Sequence, residues 1–100
     1  MNATIRPTTN LNVVEFKDLN FNPHPNHMGG VQAVVQFLNG YGASIVQTPY
    51  TYGGDQGLYE LAVFGKDGNI TYDTPITSDV EGNLSEGDVS NLLVKIKELI

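Results

Sequence analysis

The sequence has no cysteine and no tryptophan. Without cysteine there is no disulfide framework, no thiolate zinc site and no thiol nucleophile. That suits a reducing compartment. Basic residues are scarce as well, five against 11 acids, for a net charge of −6. No apolar run approaches the roughly 18 residues a membrane span needs. The polar stretch Met1 to Asn10 lacks the basic-then-apolar pattern of a signal peptide. The expected setting is cytoplasmic, with no membrane partner.

The acids are unevenly spread. Asp67, Asp73, Asp79, Glu81, Glu86 and Asp88 fall in one stretch without a base. Such a surface repels phosphate backbones, so direct nucleic-acid binding is not expected. It attracts a basic protein surface, and it also serves plain solubility.

One hundred residues suit a single domain, read here as a flexible tail over 1–10 and one α+β domain over 11–100. Leu11 to Phe16 (LNVVEF) reads as a strand through its β-branched pair. Lys17 to Gly30 is a Pro- and Gly-rich loop. Val31 to Leu38 and Tyr41 to Gln47 flank Asn39-Gly40, a strong hairpin signal. A two-residue turn pairs Val34 with Ile45. A bulged three-residue turn pairs Val35 with Ile45 and Phe37 with Ala43, which packs better. Leu58 to Phe64 is a further strand. Asp67-Gly68 turns it back onto Asn69 to Asp73, with Val63 opposite Tyr72 and with Tyr59, Leu61, Val63, Ile70 and Tyr72 on one face.

Thr74 to Leu84 reads as irregular. Ser85 then opens a helix that runs to Ile100, with Asp88 completing a capping pattern. Val89, Leu92, Leu93, Ile96 and Leu99 recur at helical spacing and form its buried stripe. The fold class is therefore α+β: an antiparallel meander of four or five strands with one C-terminal helix packed on one face.

Catalytic and metal patterns are weak. His24 and His27 are two imidazoles on a proline-containing loop, but zinc wants three or four ligands, so no metal is expected. The acids after Tyr72 lack calcium-loop spacing. There is no nucleophile elbow, dinucleotide fingerprint or phosphate loop, and no cofactor is expected. The loop Tyr50-Thr51-Tyr52-Gly53-Gly54 is the most suggestive exposed feature, because tyrosine gives large, rigid, amphipathic contacts. Tyr50 and Tyr52, with Asp73, Asp79 and Glu81 from the acidic stretch, are the candidate partner-binding residues.

The segments NGYGASIVQ, LYELAVF and YDTPITSDVEGNLSEGDVSNLLVKIKEL resemble a group of small uncharacterised accessory proteins carried by tailed bacteriophages and prophages. The resemblance covers roughly Phe21 to Leu99. It implies a phage-encoded protein acting in a bacterial cytoplasm, and it transfers no catalytic residue. The expectation is a non-enzymatic binding protein that blocks or modulates a host or defence protein with a basic surface. Alternatives are a small-molecule binder using the tyrosine loop and the sheet end, a minor virion component, and an enzyme whose pocket converges on His24 or His27.

Overall fold

The computed structural model describes residues 8–9, 15–25, 29–71 and 81–99. Its strands are β1 (Thr8–Thr9), β2 (Asn22–Pro23), β3 (Val31–Gln36), β4 (Gly42–Gln47), β5 (Tyr59–Phe64) and β6 (Glu81–Leu84), followed by helix α1 (Glu86–Lys97). Strands β2 to β6 form a five-stranded antiparallel meander. Thr8–Thr9, placed by the sequence in a tail, pair in parallel with Val35 and Gln36 of β3.

One face of the sheet forms the core. Ala33, Val35, Phe37, Ala43, Ile45, Leu61 and Val63 alternate inward along β3, β4 and β5, as the period of two requires. Leu84 closes the β6 side. Val89, Leu93 and Ile96 of α1 are fully buried against this face, with Leu92 and Leu99 packed at its margin. The predicted stripe is the docked stripe. Ser85 caps the helix: its Oγ accepts the Asp88 N–H at 3.1 Å, and the Asp88 carboxylate accepts the Ser85 N–H at 3.0 Å.

Both predicted hairpin registers shift. The observed pairs are Ala33 with Ile45 and Val35 with Ala43, so neither the two-residue turn nor the expected bulged pairing holds. The loop is Leu38-Asn39-Gly40, one residue earlier than the bulged alternative. Phe37 N–H donates to Tyr41 O at 2.7 Å, and Gly40 N–H to Phe37 O at 3.0 Å. This is a type I turn followed by a left-handed glycine, with Gly40 at φ +92°.

Lys66-Asp67-Gly68 repeats the same geometry, with Gly65 N–H donating to Asn69 O at 2.8 Å and Gly68 at φ +84°. Ile70 therefore sits opposite Phe64, not on the core face, and is 46% exposed. Tyr72 lies outside the described residues. In both turns the Asn or Asp side chain takes the middle position and accepts a backbone N–H two residues on, a bond a two-residue turn would not allow it to make.

Three further segments depart from their expected type, the first being Asn22–Pro23, read as loop, which pair with β3 as β2. Glu81–Leu84, read as irregular, is the sheet's edge strand. Its Glu-Gly-Asn-Leu sequence has little strand propensity, but pairing with β5 across a bulge overrides that, and Asn83 takes φ +56°. Phe16, read as the end of a strand, opens a short 3-10 turn over Phe16–Asp18. There the Asp18 carboxylate accepts the Glu15 N–H at 3.1 Å, while Phe16 N–H donates to Ser90 Oγ of the helix at 2.8 Å. Its ring meets Phe21 at 5.4 Å and Tyr59 at 4.9 Å, so aromatic packing fixes the segment. Residues 11–14 of the expected strand lie outside the described residues.

Candidate functional site

The tyrosine loop is held by its own threonines. Thr48, almost fully buried, accepts the Tyr50 N–H on its hydroxyl at 3.1 Å. Thr51 Oγ1 accepts the Thr48 N–H at 3.0 Å and donates to Thr48 O at 3.1 Å. Gly54 is pressed so close to Thr48 O that a Cβ would lie 1.9 Å from it, so only glycine fits. Local side-chain bonds thus replace ladder bonds over Thr48 to Gly54.

On this frame Tyr50 is 76% exposed and Tyr52 67% exposed. Tyr50 projects freely. Tyr52 is anchored through its backbone, its N–H donating to the Glu60 carboxylate at 3.3 Å and its carbonyl accepting the Asn83 N–H at 3.2 Å. Its side chain lies over Gly82, where an added Cβ would meet the Tyr52 Cβ at 2.6 Å. An aromatic covering an edge-strand glycine is a recognised stabilising device. Tyr52 therefore both supports β6 and presents a ring.

Glu81 is brought to the same region, half-buried at the start of β6 opposite Leu61 and next to Gly82. Asp73 and Asp79 lie outside the described residues. The acids of the stretch do not gather at one end. Asp67 sits in the turn after β5, whereas Glu86 lies near Tyr59 at the strand's other end and Asp88 follows it in the first helical turn. With Asp55 and Glu60 they leave the loop end acidic. Lys17, the base near it among the described residues, pairs with Glu15 at 3.6 Å. Lys66, Lys95 and Lys97 lie toward the opposite end.

Tyr59 joins the loop end to the helix. Burial pushes its hydroxyl pKa above 10.0, and the Glu86 carboxylate pushes the same way, while a hydrogen bond from Gln47 opposes both.

A cavity of about 270 Å³ lies on the sheet face away from the helix. Val34 and Phe64 provide its apolar surface, Gln32 and Gln36 its amides, and Gly40, Gly42, Gly65 and Gly68 its rim. None of the described residues lining it is ionisable. The sequence did not reveal this site, because it is assembled from three strands and two turns. Its one legible signal was glycine in both Gly-containing turns.

His24 lines neither this cavity nor the shallower one beside Thr48. Its N–H donates to Gly30 O at 3.0 Å, closing the loop. His27 lies outside the described residues. Among the described residues no group of three or more His, Cys, Asp or Glu is placed to hold a metal. No helix among them is long and apolar enough to cross a membrane. Comparisons with family models, curated proteins and solved structures find no match.

Proposed function

We propose that this chain is a non-enzymatic binding protein whose contact surface is the Tyr50/Tyr52 loop. The observation that carries this reading is two highly exposed tyrosines on a loop already ordered by the Thr48 and Thr51 hydrogen bonds. Ordered aromatic residues contribute binding energy with little entropy to lose. Asp55, Glu60, Glu81 and Glu86 around the loop end favour a basic partner surface. With the resemblance to phage accessory proteins, the partner is a host or defence protein in a bacterial cytoplasm, and the mode of action is steric blocking.

The test is affinity purification from an expressing bacterium, read by mass spectrometry, with wild type beside the Tyr50→Ala/Tyr52→Ala double variant. A partner retained by wild type and lost by the variant supports the reading. A partner held equally by both removes the loop from it.

A second reading is small-molecule binding, favoured by the cavity between Val34 and Phe64. Its lining suits a neutral, largely apolar ligand oriented by the Gln32 and Gln36 amides. Native mass spectrometry of protein purified from cells checks it. A retained small molecule whose binding is lost in Val34→Asn supports this reading, and a bare mass in both opposes it.

A further inference from the structure

Asn39 carries chemistry that neither reading uses. It precedes Gly40 in the sequence's one Asn-Gly step. Such a step is chemically labile, because glycine has no side chain to hinder its own amide nitrogen from reaching the asparagine side chain. The fold guards this lability. Asn39 Nδ2 donates to three carbonyls at the end of α1: Ile96 O at 2.8 Å, Lys97 O at 3.2 Å and Leu99 O at 3.0 Å. Its Oδ1 accepts the Tyr41 N–H at 3.0 Å. The nitrogen that would attack, Gly40 N, donates to Phe37 O at 3.0 Å. The turn must open before the reaction can proceed.

The second turn supplies an internal comparison. Asp67 occupies the position equivalent to Asn39, and its Oδ1 accepts the Asn69 N–H at 3.0 Å. A carboxylate therefore serves this turn as well as an amide does. It cannot serve the helix end, because an ionised carboxylate donates no hydrogen bond. It would also place negative charge against carbonyl oxygens at the negative pole of the helix dipole.

We propose that Asn39 is a spontaneous deamidation site that works as a latch. Intact, it ties the end of α1 to the β3–β4 turn. Converted to the aspartyl form, it keeps the turn and releases the helix end, whereas the isoaspartyl form also adds a methylene to the turn backbone. In the reaction, Gly40 N attacks Asn39 Cγ. The N–Cγ bond forms, the Cγ–Nδ2 bond breaks, and the side-chain amide leaves as ammonia with the Gly40 amide proton. Water then opens the cyclic imide at either carbonyl, leaving an aspartyl or an isoaspartyl residue. No oxidant or reductant is needed. The released segment includes Leu99, which packs against the core.

The test incubates the full chain at mildly alkaline pH, folded and in denaturant, and maps residue 39 by peptide mass spectrometry. Conversion in the folded chain is expected to be at least about tenfold slower than in denaturant. The converted species, separated by ion exchange, is expected to melt roughly 10 °C below the intact protein, and Asn39→Asp should match its aspartyl form. Equal conversion rates in the two states, or converted protein and Asn39→Asp that melt with wild type, would overturn the proposal. If Asn39→Asp yields no folded protein, Asn39→Ala decides: it removes the donors without adding charge. A clear fall in its melting temperature supports the latch, and a wild-type melt overturns it.

Discussion

The two ends of the sheet solve the same problem differently. At the turn end, two side chains make tertiary contacts. Asn39 reaches three helix carbonyls, and the Lys66 ammonium lies 5.4 Å from the centre of the Tyr41 ring. At the loop end, backbone and threonine hydroxyls satisfy one another, and the large side chains of Tyr50 and Tyr52 stay in solvent. The lesson is about where order comes from. The turn end is ordered by tertiary contacts that engage Asn39 and Tyr41, although Leu38 in the same turn is 75% exposed. The loop end is ordered by the threonine bonds and by the Tyr52 backbone's bonds to Glu60 and Asn83, which leaves its aromatic rings largely exposed.

The largest break in this comparison would come from the element that spans both ends. Leu93→Asp puts a charge into the fully buried helix face and is expected to cost at least about 4 kcal/mol. Chemical denaturation checks it, and a midpoint close to wild type would mean that α1 does not dock as described. Next come the two turns. Asn39→Ala removes two N–H donors shared among three helix-end carbonyls, together with the bond to Tyr41 N–H, and should cost about 2 kcal/mol, whereas Asp67→Ala removes one exposed local bond and should cost about 0.5 kcal/mol. Equal costs would mean that the helix contacts contribute nothing.

A smaller effect is expected from Tyr59. Its pKa in the folded chain lies above the unfolded value of 10.0, mainly through burial. The unfolded chain thus releases this proton first, and the stability associated with the neutral hydroxyl is complete below about pH 10. It is lost as pH rises through the folded pKa. Tyr59→Phe should flatten that alkaline decline, as followed by denaturation midpoints across the range. An unchanged slope would assign the decline to other groups. Smallest is Glu81→Lys at the loop end. It is expected to leave melting nearly unchanged and to reduce the salt dependence of association with a basic partner.

Much of the architecture could be read from the residues. The helix was legible because Ser85 and Asp88 mark its start and five apolar residues mark its face. Strand β5 was legible from alternation, and β3 and β4 from the Asn39-Gly40 hairpin signal between them. The registers were not. Asp67-Gly68 looks like a two-residue turn, and the three-residue turn favoured at Asn39-Gly40 was set one residue too late; the bonds made by Asn39 and Asp67 place each in the middle of its loop. Strand β6 was hidden because its residues favour turns, and pairing with β5 supplies what propensity does not.

The site was partly legible. Tyr50 and Tyr52 stood out by residue type, but the threonine bonds that order them depend on geometry. The helix-capping role of Asn39 links positions 57 to 60 residues apart and left no local trace. The cavity between Val34 and Phe64 likewise exists only once the strands are side by side.

The central claim is that the loop end is a binding surface already ordered in the free protein. Partner capture by wild type, Asn39→Ala and Tyr50→Ala/Tyr52→Ala, each paired with a melting curve, tests it most directly. The account predicts that the tyrosine variant melts within a few degrees of wild type, because exposed side chains contribute little to stability, yet loses the partner. It also predicts that Asn39→Ala melts lower and still binds at a temperature where it is folded. A tyrosine variant that binds as wild type does, or one that unfolds, would contradict it.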